Sequence, residues 1–132
     1  MKTYEGNRRE DGSVIVWVSE PGKLAYELPL RLDLYNHSPD GFEIGYGGSG
    51  PAQLALAILA DTLKAPKGKK PPSGFENDSN PRLIAVRLHQ DFKRRFIAGL
   101  ARTEQWAITE RTVLEFVALY QKELSRDVDT EQ

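Results

Sequence analysis

The sequence has no cysteine and a single methionine in 132 residues, so neither disulfides nor a cysteine zinc site can hold its fold. It also lacks any run approaching the roughly 20 apolar residues that a membrane-spanning helix needs. The opening Met1-Lys2-Thr3-Tyr4-Glu5-Gly6 has no apolar core of the signal-peptide kind. An excess of charge of one sign is missing as well. With 18 Lys+Arg against 19 Asp+Glu, the net charge is −1, which excludes a uniformly basic nucleic-acid coat. Aromatic residues make up 9%, and few of them interleave with the lysines, which argues against a stacking platform for single strands. What remains is a chain of one-domain length whose 39% hydrophobic content suffices for one core over residues 1–132. It reads as a cytoplasmic protein with no membrane partner.

Local patterns order the chain as strands first and helices afterwards. Residues 13–19, Ser-Val-Ile-Val-Trp-Val-Ser, lie between two turn-forming segments and give the clearest strand. Val14, Val16 and Val18 fall on one face with Ile15 and Trp17 on the other, which suits a strand covered on both sides. Residues 24–28 are expected to return as a hairpin partner. Leu30, Leu32 and Leu34 alternate with Arg31 and Asp33 in the period of a half-buried strand, and residues 42–44 form a short strand into a glycine run. Residues 51–63 then predict an apolar, centrally buried helix with Pro51 at its first position. Residues 65–80 are rich in proline and lysine and predict an exposed loop. A second helix is expected over residues 81–100 with Ala85, Leu88, Phe92 and Phe96 as its apolar stripe. A third follows an N-cap at Thr109, with Val113, Phe116, Val117, Tyr120 and Leu124 inward and a polar tail over 125–132. The fold class is α+β, a small N-terminal antiparallel sheet packed against about three helices.

Two features carry chemistry. The first is Gly45-Tyr46-Gly47-Gly48-Ser49-Gly50-Pro51, four glycines in six residues before a strong helix. A helix N-terminus presents unpaired N–H groups and partial positive charge, and glycine lets an anion approach the backbone. The spacing fits G-x-G-x-x-G, but no βαβ unit surrounds it, and Pro51 stands where a P-loop would place lysine. The other reading is a tight turn that needs positive φ at several positions. The second feature is segregated charge. Residues 1–63 hold 5 basic and 9 acidic side chains (−4), residues 64–102 hold 10 and 3 (+7), and residues 103–132 hold 3 and 7 (−4). Lys64, Lys67, Lys69 and Lys70 sit at the loop, and Arg82, Arg87, Lys93, Arg94 and Arg95 on the second helix. Such a block forms either a solvated face or, beside the glycine run, a phosphate pocket.

Candidate ligand-binding residues are therefore Gly45, Tyr46, Gly47, Gly48, Ser49, Gly50, Gln53, Arg87, Lys93, Arg94 and Arg95, with Tyr46 able to stack on a base. His37, near Asp33, Asp40 and Glu43, and His89, near Asp91, lack the spacing of a metal or catalytic motif and read as loop and surface histidines. No metal, cofactor or nucleophile is implied. A helix-turn-helix reading of the segment after Trp106 is opposed by the acidic Glu110, Glu115 and Glu123.

Residues 36–59, Asn-His-Ser-Pro-Asp-Gly-Phe-Glu-Ile-Gly-Tyr-Gly-Gly-Ser-Gly-Pro-Ala-Gln-Leu-Ala-Leu-Ala-Ile-Leu, resemble the signature of an uncharacterised family of bacterial, archaeal and phage proteins. Tyr4-x-Gly6, Arg31-Leu32-Asp33-Leu34, Gln90-Asp91-Phe92-Lys93 and Trp106-x-Ile108-Thr109 extend the resemblance. Ile44 stands where the family usually has tryptophan, and 65–80 looks like an insertion. The resemblance implies a phage or mobile-element setting and no particular activity. The expected function is a small non-enzymatic binding protein, of anti-defence type, that sequesters a phosphorylated nucleotide signal. The alternative is a protein or nucleic-acid interaction module acting on a host defence complex. Self-association through the apolar helix is a further expectation.

Overall fold

The computed structural model describes residues 1–69, 71, 72 and 80–130, with side chains as far as residue 122. Lys70, the centre of the 65–80 segment, and the side chains of Leu124 and of the 125–132 tail lie outside the described residues. Four strands, β1 (Thr3–Arg8), β2 (Val14–Ser19), β3 (Tyr26–Glu27) and β4 (Trp106–Thr109), form one sheet in the order β3-β2-β1-β4, every pair antiparallel. Three helices accompany it: α1 (Ser49–Thr62), α2 (Pro81–Phe92) and α3 (Glu110–Thr130). The fold is α+β, as the order of patterns predicts. No described helix is long and apolar enough to cross a membrane.

The β1–β2 turn follows from its residues: Gly12 takes φ +88°, and the Asp11 carboxylate accepts from the Ser13 amide and hydroxyl. Period-2 alternation sends Tyr4, Val16, Val18, Trp106 and Ile108 inward, into one core with α1 and the inner faces of α2 and α3. Every α1 residue from Gly50 to Ala60 is buried. A helix that is apolar all round therefore runs through the middle of the molecule, between α2, α3 and the sheet. The apolar surface that suggested self-association is thus used up inside one chain. Asn80 caps α2 by accepting from the Arg82 amide, and Thr109 Oγ1 accepts from the Thr112 amide at the start of α3.

Several expectations are corrected. Residues 30–34 form no strand: Arg31 adopts φ +59°, and the Leu34 amide donates back to the Arg31 carbonyl. Arg31 is buried because its guanidinium donates to the carbonyls of Ala65 and Pro66 past the end of α1 and pairs with Asp33. The hairpin strand shrinks to Tyr26–Glu27, leaving Leu24 94% exposed, and residues 42–44 contribute one bridge, Val14 with Phe42. Trp106–Thr109, the residues that lead up to and include the N-cap Thr109, form a strand. Trp17 is 42% exposed, so the outer sheet face is not covered there. The second helix changes at Phe92 into a π-turn, Lys93–Ile97. The backbone of α3 extends through Thr130, into the segment read as a polar tail.

Candidate anion site at the glycine run

The run enters α1 from the Phe42 bridge. Only Gly45 needs its conformational freedom: it takes φ +83°, and a Cβ there would lie 2.9 Å from the Leu100 carbonyl. Its amide donates to the Ile97 carbonyl, fastening the run to the end of the π-turn. Gly48 is the N-cap of α1 in extended conformation, where a Cβ would press on the Tyr46 ring. The turn reading of the run therefore explains one left-handed glycine and two close approaches, at Gly48 and Gly50. Gly47 faces open space.

Helix α1 starts at Ser49, so Pro51 takes its third position. The first turn has no side-chain cap and no acidic residue. The Ser49 and Gly50 amides are left as its orphan donors, with no acceptor among the described residues. Glu43 lies beside Gly50, but its carboxylate is held by a two-pronged bond from Arg8, 2.9 Å on each side. That pairing keeps Glu43 ionised to lower pH than usual while cancelling its charge next to the helix end.

Lys93 closes the other side. It is 8% exposed, and its ammonium donates to the Gly47 carbonyl at 3.0 Å. Among the described residues no carboxylate pairs with it. A lysine this deeply buried is ordinarily matched by an anion, because removing an ammonium from water is costly without one. Two of its three N–H groups remain for such a partner.

Four residues before Lys93, in the last turn of α2, stands His89, which is 4% exposed. The surface reading of His89 is corrected by its burial. Its Nδ1 donates to the Val86 carbonyl, and its Nε2 meets Nε2 of His37 at 2.8 Å. Tyr35 stacks on the His37 ring with centroids 4.3 Å apart. Burial lowers the pKa of both histidines, and the Lys93 charge lowers both further; at His89 the Val86 carbonyl works against this. Both shifts favour the neutral form of the rings. The sequence pattern gives no link between these two residues because they stand 52 positions apart. The available signal was the i, i+4 pairing of His89 with a lysine already suspected of binding an anion.

The remaining candidates divide. Gln53 is fully buried beneath the 30–38 loop. Its Oε1 accepts from the amides of His37 (2.8 Å) and Ser38 (3.2 Å), and its Nε2 donates to the carbonyls of Leu30 (2.6 Å) and Tyr35 (3.1 Å). These four bonds make it a clamp on the loop that carries His37. Tyr46 is exposed, with the Arg102 guanidinium over its ring. Arg94 pairs with Asp91, Arg95 lies over Phe96, and Arg87 is exposed on α2. Of the basic candidates, Lys93 is the one bonded to the glycine run. Among the described residues no three potential metal ligands of the His, Cys, Asp or Glu type converge.

Fold and site together define a small α+β domain in which a buried lysine, with no carboxylate partner among the described residues, donates to the glycine run just before a helix that has no side-chain cap. The chain matches DUF6166, a family of unknown function, over residues 4–75, and it belongs to that family. The matched part holds His37, Gln53 and the glycine run; His89 and Lys93 come from the remainder. Comparison with curated proteins and with solved structures gives no match.

Proposed function

We propose that this protein is a non-enzymatic binding protein for a small phosphorylated ligand of nucleotide type. The observation that carries the reading is Lys93, a buried cation with no counter-charge among the described residues, set against the open N-terminal end of α1. A phosphate would accept from the Ser49 and Gly50 amides, from the Ser49 hydroxyl and from the free N–H groups of Lys93. Exposed Tyr46 would offer a ring to a base. Arg87, Arg94 and Arg95 would add positive potential along α2 and the π-turn. In the phage or mobile-element setting that the family resemblance suggests, such a protein removes a nucleotide signal of a host defence system. Isothermal titration with cyclic and linear nucleotides tests this. Saturable binding is expected, weakened about tenfold or more, equivalent to about 1.4 kcal/mol, in Lys93→Met. Absence of binding across the panel overturns the reading.

A second reading, an interaction module docking on a host defence protein, is favoured by the exposed Trp17 and Leu24 on and beside the uncovered sheet face. Co-purification of a partner that is lost in Trp17→Ser would support it.

A further inference from the structure

We propose that His37 and His89 are the proton-accepting half of the anion site, so that an anion bound at Lys93 is taken up together with a proton on His37 Nδ1. This rests on the reading of Lys93 and the glycine run as an anion site.

The bonding of the pair fixes where a proton can go. A carbonyl only accepts, so the bond to Val86 requires that His89 carry its proton on Nδ1 and present a lone pair at Nε2. The 2.8 Å contact then requires that His37 donate its Nε2–H to that lone pair. This leaves His37 Nδ1 as an acceptor with no partner among the described residues. Protonation there breaks neither bond. It turns the contact between the rings into a charge-assisted hydrogen bond, which is stronger than a neutral one. The proton comes from solvent, and no covalent bond is made or broken.

What opposes protonation is burial together with the charge of Lys93, which acts on both rings. The groups facing the pair are Lys93 from the π-turn, Tyr35 stacked on His37, and Gln53 from α1, which is neutral. No carboxylate takes part in these contacts. A tetrahedral anion on the ammonium of Lys93 cancels the opposing field, so the pair binds a proton more readily when the anion is present. By reciprocity, the anion then binds more tightly as pH falls through the range in which His37 titrates. Tyr35, by stacking on the ring, holds Nδ1 in place.

The chain contains only two histidines, so their ring signals can be followed directly by NMR. The probes are sulfate and 3′,5′-cyclic AMP, neither of which titrates between about pH 5 and 8, unlike phosphate monoesters. In the free protein His37 is expected to titrate below the ordinary value of about 6.5. Saturating sulfate is expected to raise that midpoint by about half a unit or more. Calorimetry in buffers of different ionisation heat should show net proton uptake across the pH range in which His37 titrates in the wild-type protein and none in His37→Gln. Lys93→Met should raise the His37 midpoint without anion and abolish its response to sulfate. Binding of either probe with an unmoved midpoint and no proton uptake overturns this inference and leaves the binding function standing. Failure of both probes to bind at millimolar concentration overturns the binding function and this inference with it. Should His37→Gln not fold, the wild-type ring titration decides alone.

Discussion

Gly6 on β1 and Trp106 on β4 are paired across the sheet, and the indole fills the space that a side chain at position 6 would need. A Cβ there would stand 2.1 Å from the ring. Gly6 has no left-handed backbone, so its glycine answers to this close approach alone. Gly6→Ala should therefore destabilise the fold by about 1–3 kcal/mol through overpacking, read as a lower urea midpoint. The same substitution made in Trp106→Phe should cost measurably less. Additive losses would show that the ring is not the cause.

Gln53 spends both ends of its amide on the loop that carries His37. Gln53→Leu keeps the volume but strands two amides and two carbonyls next to a buried helix. A loss of about 3 kcal/mol is expected from the unmet polar groups. Gln53→Glu should also destabilise, since a carboxylate oxygen would then face the carbonyls of Leu30 and Tyr35. In both variants the ring contact between His37 and His89 should loosen, visible as altered ring shifts. A Gln53→Leu protein of wild-type stability would contradict the clamp.

Gly48→Asp separates a binding role of the glycine run from an architectural one. Position 48 is an N-cap in extended conformation, where aspartate in place of glycine is favourable by roughly a few tenths of a kcal/mol. The new Cβ displaces only the ring of Tyr46, an exposed side chain able to swing aside. Thermal stability should therefore hold or rise, while the added carboxylate accepts from the Gly50 amide and repels an anion from Lys93. Nucleotide binding is expected to be lost in a folded protein. Retained binding would place the ligand elsewhere.

The sequence was most readable where local pattern and burial agree. The strand of residues 13–19 has its alternation, α1 has its uninterrupted apolar surface, and Thr109 lies at a helix start as a capping residue does. It was least readable where a long-range contact overrides the local pattern. Leu30, Leu32 and Leu34 alternate like a strand, yet Arg31 turns left-handed to reach the carbonyls of Ala65 and Pro66, more than 30 residues away. The four residues of β4 are too short to distinguish from a helix approach until β1 lies beside them. At the site, the glycines and Lys93 follow from composition and charge. The histidine pair depends on packing a loop against α2, and periodicity holds no record of that.

Asp33 links that loop to the segment after α1. Burial raises its pKa, but the pairing with Arg31, the Gly68 amide and the charge of Arg82 outweigh burial and bring it down to about 2, against 3.8 for an ordinary aspartate. A carboxylate depressed on folding adds stability that is fully present above its unfolded pKa and is lost as pH falls through the folded one. Asp33 should thus contribute about 1–2 kcal/mol near neutral pH, allowing for solvent screening of a partly exposed group, and lose it between about pH 4 and 2. Asp33→Asn should remove that contribution at pH 7 and flatten the acid limb of stability over the same interval. Urea unfolding of both proteins at a series of pH values measures the difference. Parallel acid limbs would show that Arg31 is held by the Ala65 and Pro66 carbonyls without help from Asp33.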